Sequence, residues 1–169
     1  MNNKIILICG KSGVGKDYVV SKLPNIKQLK SYTTRPKRYK NENCHIFVSK
    51  QEFEKLNLVA STYFDNNYYG ATQEQIDKCD VYIVDQNGAK ELKENYTGSK
   101  KIISILLTAP LEKLVERMTK RGDSIQEINN RIHNDAIEFK NIEKHMDYII
   151  ENDDINNTTN SILEIIERN

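Results

Sequence analysis

The chain is poor in cysteine, in net charge and in long apolar runs. Its three cysteines, Cys9, Cys44 and Cys79, are odd in number and lack C-x-x-C spacing. That argues against a disulfide framework or a zinc site and suits a reducing compartment, with the thiols as small apolar fillers. Lysine and arginine total 25 against 24 aspartates and glutamates. No broad field is therefore available to hold nucleic acid or an anionic membrane, and any anionic ligand must be gripped locally. The opening MNNKIILICG has too short an apolar run for a signal-peptide core or a membrane span, so the expected location is cytoplasmic. With 169 residues and no repeat or long linker, one domain is expected, burying roughly two-thirds of its unfolded surface.

Four short runs lack polar alternation: IILIC (5–9), VYIV (81–84), IISILL (102–107) and YII (148–150). Such runs read as strands buried on both faces, the habit of parallel sheets. Between them lie helical patterns. Over 125–143, Ile125, Ile128, Ile132, Ala136 and Phe139 recur at helical spacing, and Ser124 with Glu127 forms a capping-box signature. Helix follows strand repeatedly, which predicts an α/β fold with a parallel sheet flanked by helices. Residues 31–75 break the rhythm with CHIFVS, a capped helix from Ser49, VASTYF, a DNN turn and YYGA. They predict a small sheet-rich insertion, while TKRGDSIQ (119–126) is a polar connection with the character of a lid.

The stretch GKSGVGKD (10–17) follows the first strand and opens a helix expected over 16–23. Gly10, Gly13 and Gly15 let the amides of this loop, Ser12 and Val14 among them, turn inward around phosphate oxygens. Lys16 then reaches the outer phosphates of a nucleotide. Asp17 stands where the G-x-x-x-x-G-K-[ST] pattern offers a hydroxyl. A carboxylate is a hard ligand for Mg²⁺ and can take it directly or through water. Without metal it would repel a triphosphate by about 4 kcal/mol at about 4 Å and an effective dielectric of about 20. The alternative is an acid favoured in a first helical turn. In SYTTRPKR (31–38), Arg35 and Arg38 lie three apart on a proline-stiffened segment beside Ser31, Thr33 and Thr34, a plausible clamp for an acceptor phosphate.

Taken with NYYGA (67–71), IVDQNG (83–88), KRGDSIQEINNRI (120–132) and IIENDD (149–154), these motifs make the chain resemble guanylate kinase over nearly its whole length. The resemblance implies a P-loop NTPase core (1–30, 76–118 and 132–169), an acceptor-binding insertion (about 31–75) and a lid (about 119–131). It implies ATP as donor, Mg²⁺ as cofactor, and GMP or dGMP as the small phosphorylated acceptor, in a monomer or homodimer. Arg35, Arg38 and Tyr69 would hold the acceptor phosphate, with Ser31 near the base. Asp85 would face phosphates and metal alongside Asp17. Arg121 and Arg131 would stabilise the transferring group, and Arg117 and Asn152 would flank the adenine.

The departures from that family pattern fall in the acceptor base pocket. Ala60 stands where guanylate kinases carry a guanine-reading glutamate, Ala71 replaces a serine, and His45 takes the place of a tyrosine. Each buried group left unpaired would remove about 1–3 kcal/mol of discrimination. GKD, ENCHIFVSKQEF and VASTYFDNNYYGATQEQID are also similar to ribose 1,5-bisphosphate phosphokinases, in which His45 would contact a sugar or phosphate. Transfer to that acceptor or to another nucleoside monophosphate stays open at this point, as does a non-catalytic guanylate-kinase-like binding module.

Overall fold

Strand β1 (Lys4–Gly10) runs through the middle of the larger of two sheets. The structure is a computed structural model that describes residues 3–64 and 66–168; Asp65, the first residue of the DNN turn, lies outside the described residues. β1 pairs in parallel with β6 (Val81–Ile83) on one side and β7 (Lys101–Thr108) on the other, and β8 (Tyr148–Glu151) lies beyond β7. Gln28 adds a parallel bridge outside β6. The chain thus steps outward from β1 to one side and then returns to build the other. That reversal opens a crevice at the carboxyl ends of the strands, where open α/β sheets place their ligands.

Apolar residues on both faces of β1 explain this central position. Ile5, Leu7 and Cys9 enter one core with Tyr82, Leu92, Ala60 and Ala71, while Ile6 and Ile8 enter a second with Val19, Leu114 and Ile162. The second core is roofed by α1 (Lys16–Ser21), α5 (Leu111–Arg121) and α7 (Ile155–Arg168). Strand β8 departs from the expectation of burial on both faces, since Tyr148 and Ile149 are exposed. It is an edge strand paired only with β7, and its Ile150 alone packs against the second core.

The segment between α1 and β6 folds as a separate mixed sheet in the order β3-β2-β5-β4. Its strands are β2 (Tyr32–Thr33), β3 (Ile46–Phe47), β4 (Leu58–Phe64) and β5 (Asn67–Thr72). The short α2 (Lys50–Phe53) carries the Ser49/Glu52 capping box, and α3 (Gln73–Lys78) leads back to the core. Helix α4 (Gln86–Asn95) ties the two sheets together: Glu91 accepts the Ser61 N–H at 2.8 Å and its hydroxyl at 2.9 Å.

Two helical expectations change in extent. Helix α1 ends at Ser21, short of Pro24, and α6 spans Ile125–Glu138 rather than reaching 143. A left-handed Asn141, φ 61°, breaks the path beyond α6 into a 3-10 turn over Ile142–His145. The Ser124/Glu127 capping box is present, but Ile125 is exposed, so the apolar stripe begins at Ile128. Gly122, φ 95°, closes α5, and the connection to α6 is only residues 122–124. None of the helices among the described residues is long and apolar enough to cross a membrane.

Because Ile105 on β7 is completely buried between the two neighbours of its strand, Ile105→Ala should lower unfolding free energy by about 2–5 kcal/mol. Urea titration followed by circular dichroism measures this; a loss under about 1 kcal/mol would contradict the packing described.

Candidate active site

Residues 11–15 turn out of β1 and into α1, and two of their glycines are required by geometry. Gly13 and Gly15 have φ of 77° and 95°, in the left-handed region that favours glycine. A Cβ on Gly13 would also sit 2.7 Å from the Leu114 carbonyl oxygen. The loop is fastened from behind at Val14, whose carbonyl accepts the Asn152 side-chain N–H at 2.7 Å and an Arg117 guanidinium N–H at 3.1 Å. Arg117 donates as well to the Asn152 carbonyl at 2.9 Å, and the Asn152 side-chain oxygen accepts the Thr158 hydroxyl at 3.0 Å. Lys16 folds back over the loop, donating to the carbonyls of Gly10 at 2.5 Å and Lys11 at 3.3 Å. Enclosure lowers the pKa of its ammonium, against the opposing pull of Asp17 and Asp135.

Two clefts meet at this loop. One, of about 740 Å³, is lined by Ser12, Gly13, Gly15, Lys16, Asp17, Arg117, Arg121, Arg131 and Asn152. The other, of about 270 Å³, is bounded by Gly10, Ser12 and Lys16 on the core side and by Ser31, His45 and Tyr69 on the insertion side. Ser12, Lys16 and Arg131 line both. The insertion and the phosphate-loop candidate therefore face a common space rather than opposite sides of the molecule.

Arg121 and Arg131 are brought together by Asp123. Arg121 donates to that carboxylate through Nε at 2.8 Å and also through a terminal nitrogen, and Arg131 approaches it at 3.5 Å. The Arg121 bond is the main cause holding Asp123 below the usual carboxylate range. In the insertion, Arg35 forks onto Glu42, at 2.6 Å and 3.3 Å, and Glu42 accepts the Arg38 backbone N–H at 2.6 Å. The Arg38 side chain remains exposed. Ser31 and His45 are joined Oγ to Nδ1 at 2.9 Å. Burial, then the Arg35 charge, lower the His45 pKa and favour the neutral ring.

The profile of the Guanylate kinase family matches residues 2–169. The guanylate kinase of Mycoplasmoides gallisepticum is 35% identical, over 98% of this chain and 94% of that protein. The chain belongs to the guanylate kinase family. The guanylate kinase of Prochlorococcus marinus is 30% identical over 97% of each chain. In fold, the chain is similar to the crystal structure of guanylate kinase from Anaplasma phagocytophilum, with a TM-score of 0.70 at 23% identity over 99% of this chain and 87% of that one. The family assignment spans the insertion as well as the core and does not favour the ribose-bisphosphate or non-catalytic alternatives.

Within this guanylate kinase framework several expected residues carry structural bonds that their types alone did not reveal. Asp85 caps α4, its Oδ1 accepting the Gly88 N–H at 2.7 Å, and it lines the smaller cleft as well. Asn152 and Arg117 line the larger cleft while buttressing Val14. Asp17 is exposed in the first turn of α1, on the wall of the larger cleft. Arg35 and Arg38 line neither cleft's wall; the Glu42 carboxylate gathers them instead.

Four acids escaped the sequence reading. Glu42 and Asp123 are the arginine partners. Asp135 accepts the Ser12 N–H at 2.8 Å and its hydroxyl at 3.4 Å, and Glu138 faces the smaller cleft. Burial, reinforced by Asp85 and Asp135, pushes the Glu138 pKa up to about 7. One available signal was helical spacing: Arg131, Asp135 and Glu138 stand four and three residues apart on α6, so they share a face.

The Arg35 bond, foremost among several contacts, holds the Glu42 pKa down from about 4.5 to about 2. A depressed folded-state value means that its stabilisation is complete above the unfolded pKa and is lost as pH falls from about 4.5 toward about 2. Glu42→Gln should therefore flatten the decline of the thermal midpoint across that window. Parallel profiles for variant and parent would contradict the role assigned to this pair.

Proposed function

We propose that this protein is an ATP-dependent guanylate kinase that moves the γ-phosphoryl of ATP directly onto the phosphate of GMP or dGMP, with no phosphoenzyme. One observation carries the reading: Ser12 and Lys16 line both clefts, so a donor in one and an acceptor in the other would meet at the loop. Phosphoryl transfer asks little covalent chemistry of the protein. It needs two phosphates held in line and positive charge where the equatorial oxygens develop theirs.

In this reading ATP enters the larger cleft with its phosphates on the loop amides and Lys16. The existing Lys16 bonds to Gly10 and Lys11 place the ammonium at the mouth of the loop, ready to exchange carbonyls for phosphate oxygens. The Ser12 amide must release Asp135 to join them. Arg121 and Arg131 would turn from Asp123 toward the transferring group, and closure of the connection between α5 and α6 would exclude water, which otherwise hydrolyses ATP. Arg38, with Arg35 braced by Glu42, and Tyr69 would hold the acceptor phosphate. Its oxygens are already largely ionised near neutral pH, so no general base is required.

Mg²⁺ fits the residues present. Such an ion relies on one or two carboxylates, water and substrate phosphates rather than on a cage of side chains. Asp17, exposed on the cleft wall beside Lys16, would hold it, with Asp85 a second candidate through the oxygen not committed to the α4 cap. The ion would neutralise charge on the β and γ phosphates.

A coupled ADP-release assay should give GMP and dGMP the highest kcat/KM among nucleoside monophosphates and ribose 1,5-bisphosphate. Lys16→Ala should lower kcat by about 100-fold or more with unchanged circular dichroism. Near-parental turnover in that variant, or a clear preference for another acceptor, would refute the reading.

A further inference from the structure

The smaller cleft has a buried hydroxyl that neither the fold nor the proposed transfer chemistry uses. Tyr82 of β6 is 4% exposed and lines this cleft together with Ser31, His45, Thr62 and Tyr69. Its ring belongs to the same buried cluster as Ala60 and Ala71. These alanines are register partners on β4 and β5, and Thr62 and Tyr69 are the next partners on that face. The face therefore runs from two methyl side chains into the cleft wall, leaving room beside them for a large residue from the opposing sheet.

No hydrogen-bond partner for the Tyr82 hydroxyl exists among the described residues, in contrast to Ser31, which bonds to His45. The only fully sealed side-chain polar atom lacking a partner there is Gln86 Oε1, so the Tyr82 hydroxyl keeps contact with open space. At this residue that space is the cleft. With Tyr82 only 4% exposed, a hydroxyl lacking a protein partner is satisfied by what occupies the cleft.

The surroundings indicate which part of a ligand that is. Asp85 and Glu91 both act electrostatically on Tyr82. The negative charge of Glu91, and of Asp85 where no ion sits on it, favours a group near the hydroxyl that presents N–H donors. Burial and Asp85 also raise the phenol's pKa, so it remains a neutral group that can accept one N–H and donate to an oxygen or ring nitrogen.

We propose that the Tyr82 hydroxyl is a specificity-determining contact that hydrogen-bonds the N–H-bearing edge of the acceptor's base. This rests on the nucleoside monophosphate kinase reading. It assigns base recognition to a core strand, opposite Ser31 and His45 of the insertion, so a bound base is read from both sides of the cleft.

Tyr82→Phe removes the hydroxyl and keeps the ring. The test compares steady-state kinetics of parent and variant with GMP and with IMP, which lacks the exocyclic amino group, at saturating ATP. KM for GMP should rise about tenfold, the preference for GMP over IMP should shrink, and, with ATP varied at saturating GMP, kcat and KM for ATP should stay within about twofold. KM does not depend on the fraction of folded enzyme, so the readout survives any loss of stability. Unchanged KM for GMP with an unchanged GMP-to-IMP preference would overturn the assignment of Tyr82 alone. A parent protein inactive on every nucleoside monophosphate would overturn the kinase reading and this proposal with it.

Discussion

The carbonyl of Val14 is the point from which the site is built. Buried backbone acceptors must be satisfied, and this one is satisfied by two side chains from distant parts of the chain, Asn152 and Arg117. Their grip fixes one carbonyl of the loop, while the Val14 amide donates to the Lys11 carbonyl at 3.2 Å and the Ser12 amide to Asp135 at 2.8 Å. That grip couples the loop to β8, α5 and α7, so the loop geometry depends on the C-terminal half of the core packing correctly. Thr158 extends the chain of bonds into α7.

Around that loop the charges are paired in advance. Asp123 holds Arg121 and Arg131, Glu42 holds Arg35, and Asp135 holds the Ser12 amide. Each acid opposes a cationic or donor group beside the clefts, so positive charge is not gathered unopposed in a partly enclosed space. In the proposed reading, binding would exchange these carboxylates for phosphates. The near-cancellation of charge in the composition, 25 against 24, is repeated at the scale of the site.

Much of the architecture was legible in the sequence because it rests on local signals. The four apolar runs became β1, β6, β7 and β8, and the capping boxes at Ser49 and Ser124 start helices where they stand. The helix ends were less legible. Ile125 matched the apolar period but lies outside the stripe that the core selects, and Asn141 adopts a conformation that ends the helical path. In the candidate site, the turn through Gly13 and Gly15 with Lys16 folded over it followed from spacing alone. Glu42, Asp123 and Asp135 did not, since their contacts are with partners placed by the fold: Asp135 and Ser12 are 123 positions apart. The same holds for Asn152, expected beside adenine: it lines the larger cleft, and its side chain also bonds to Val14 and Thr158.

The central claim is that inward-facing amides beside Lys16 receive a polyphosphate in a cleft shared with the acceptor. Titration of ¹⁵N-labelled protein with Mg²⁺ and a non-hydrolysable ATP analogue, followed by GMP, tests it most directly. The amides of Ser12, Gly13, Gly15 and Lys16 should shift saturably with the first ligand, and those of Ser31 and Tyr69 with the second. Saturable binding that leaves the four loop amides unmoved would contradict the account.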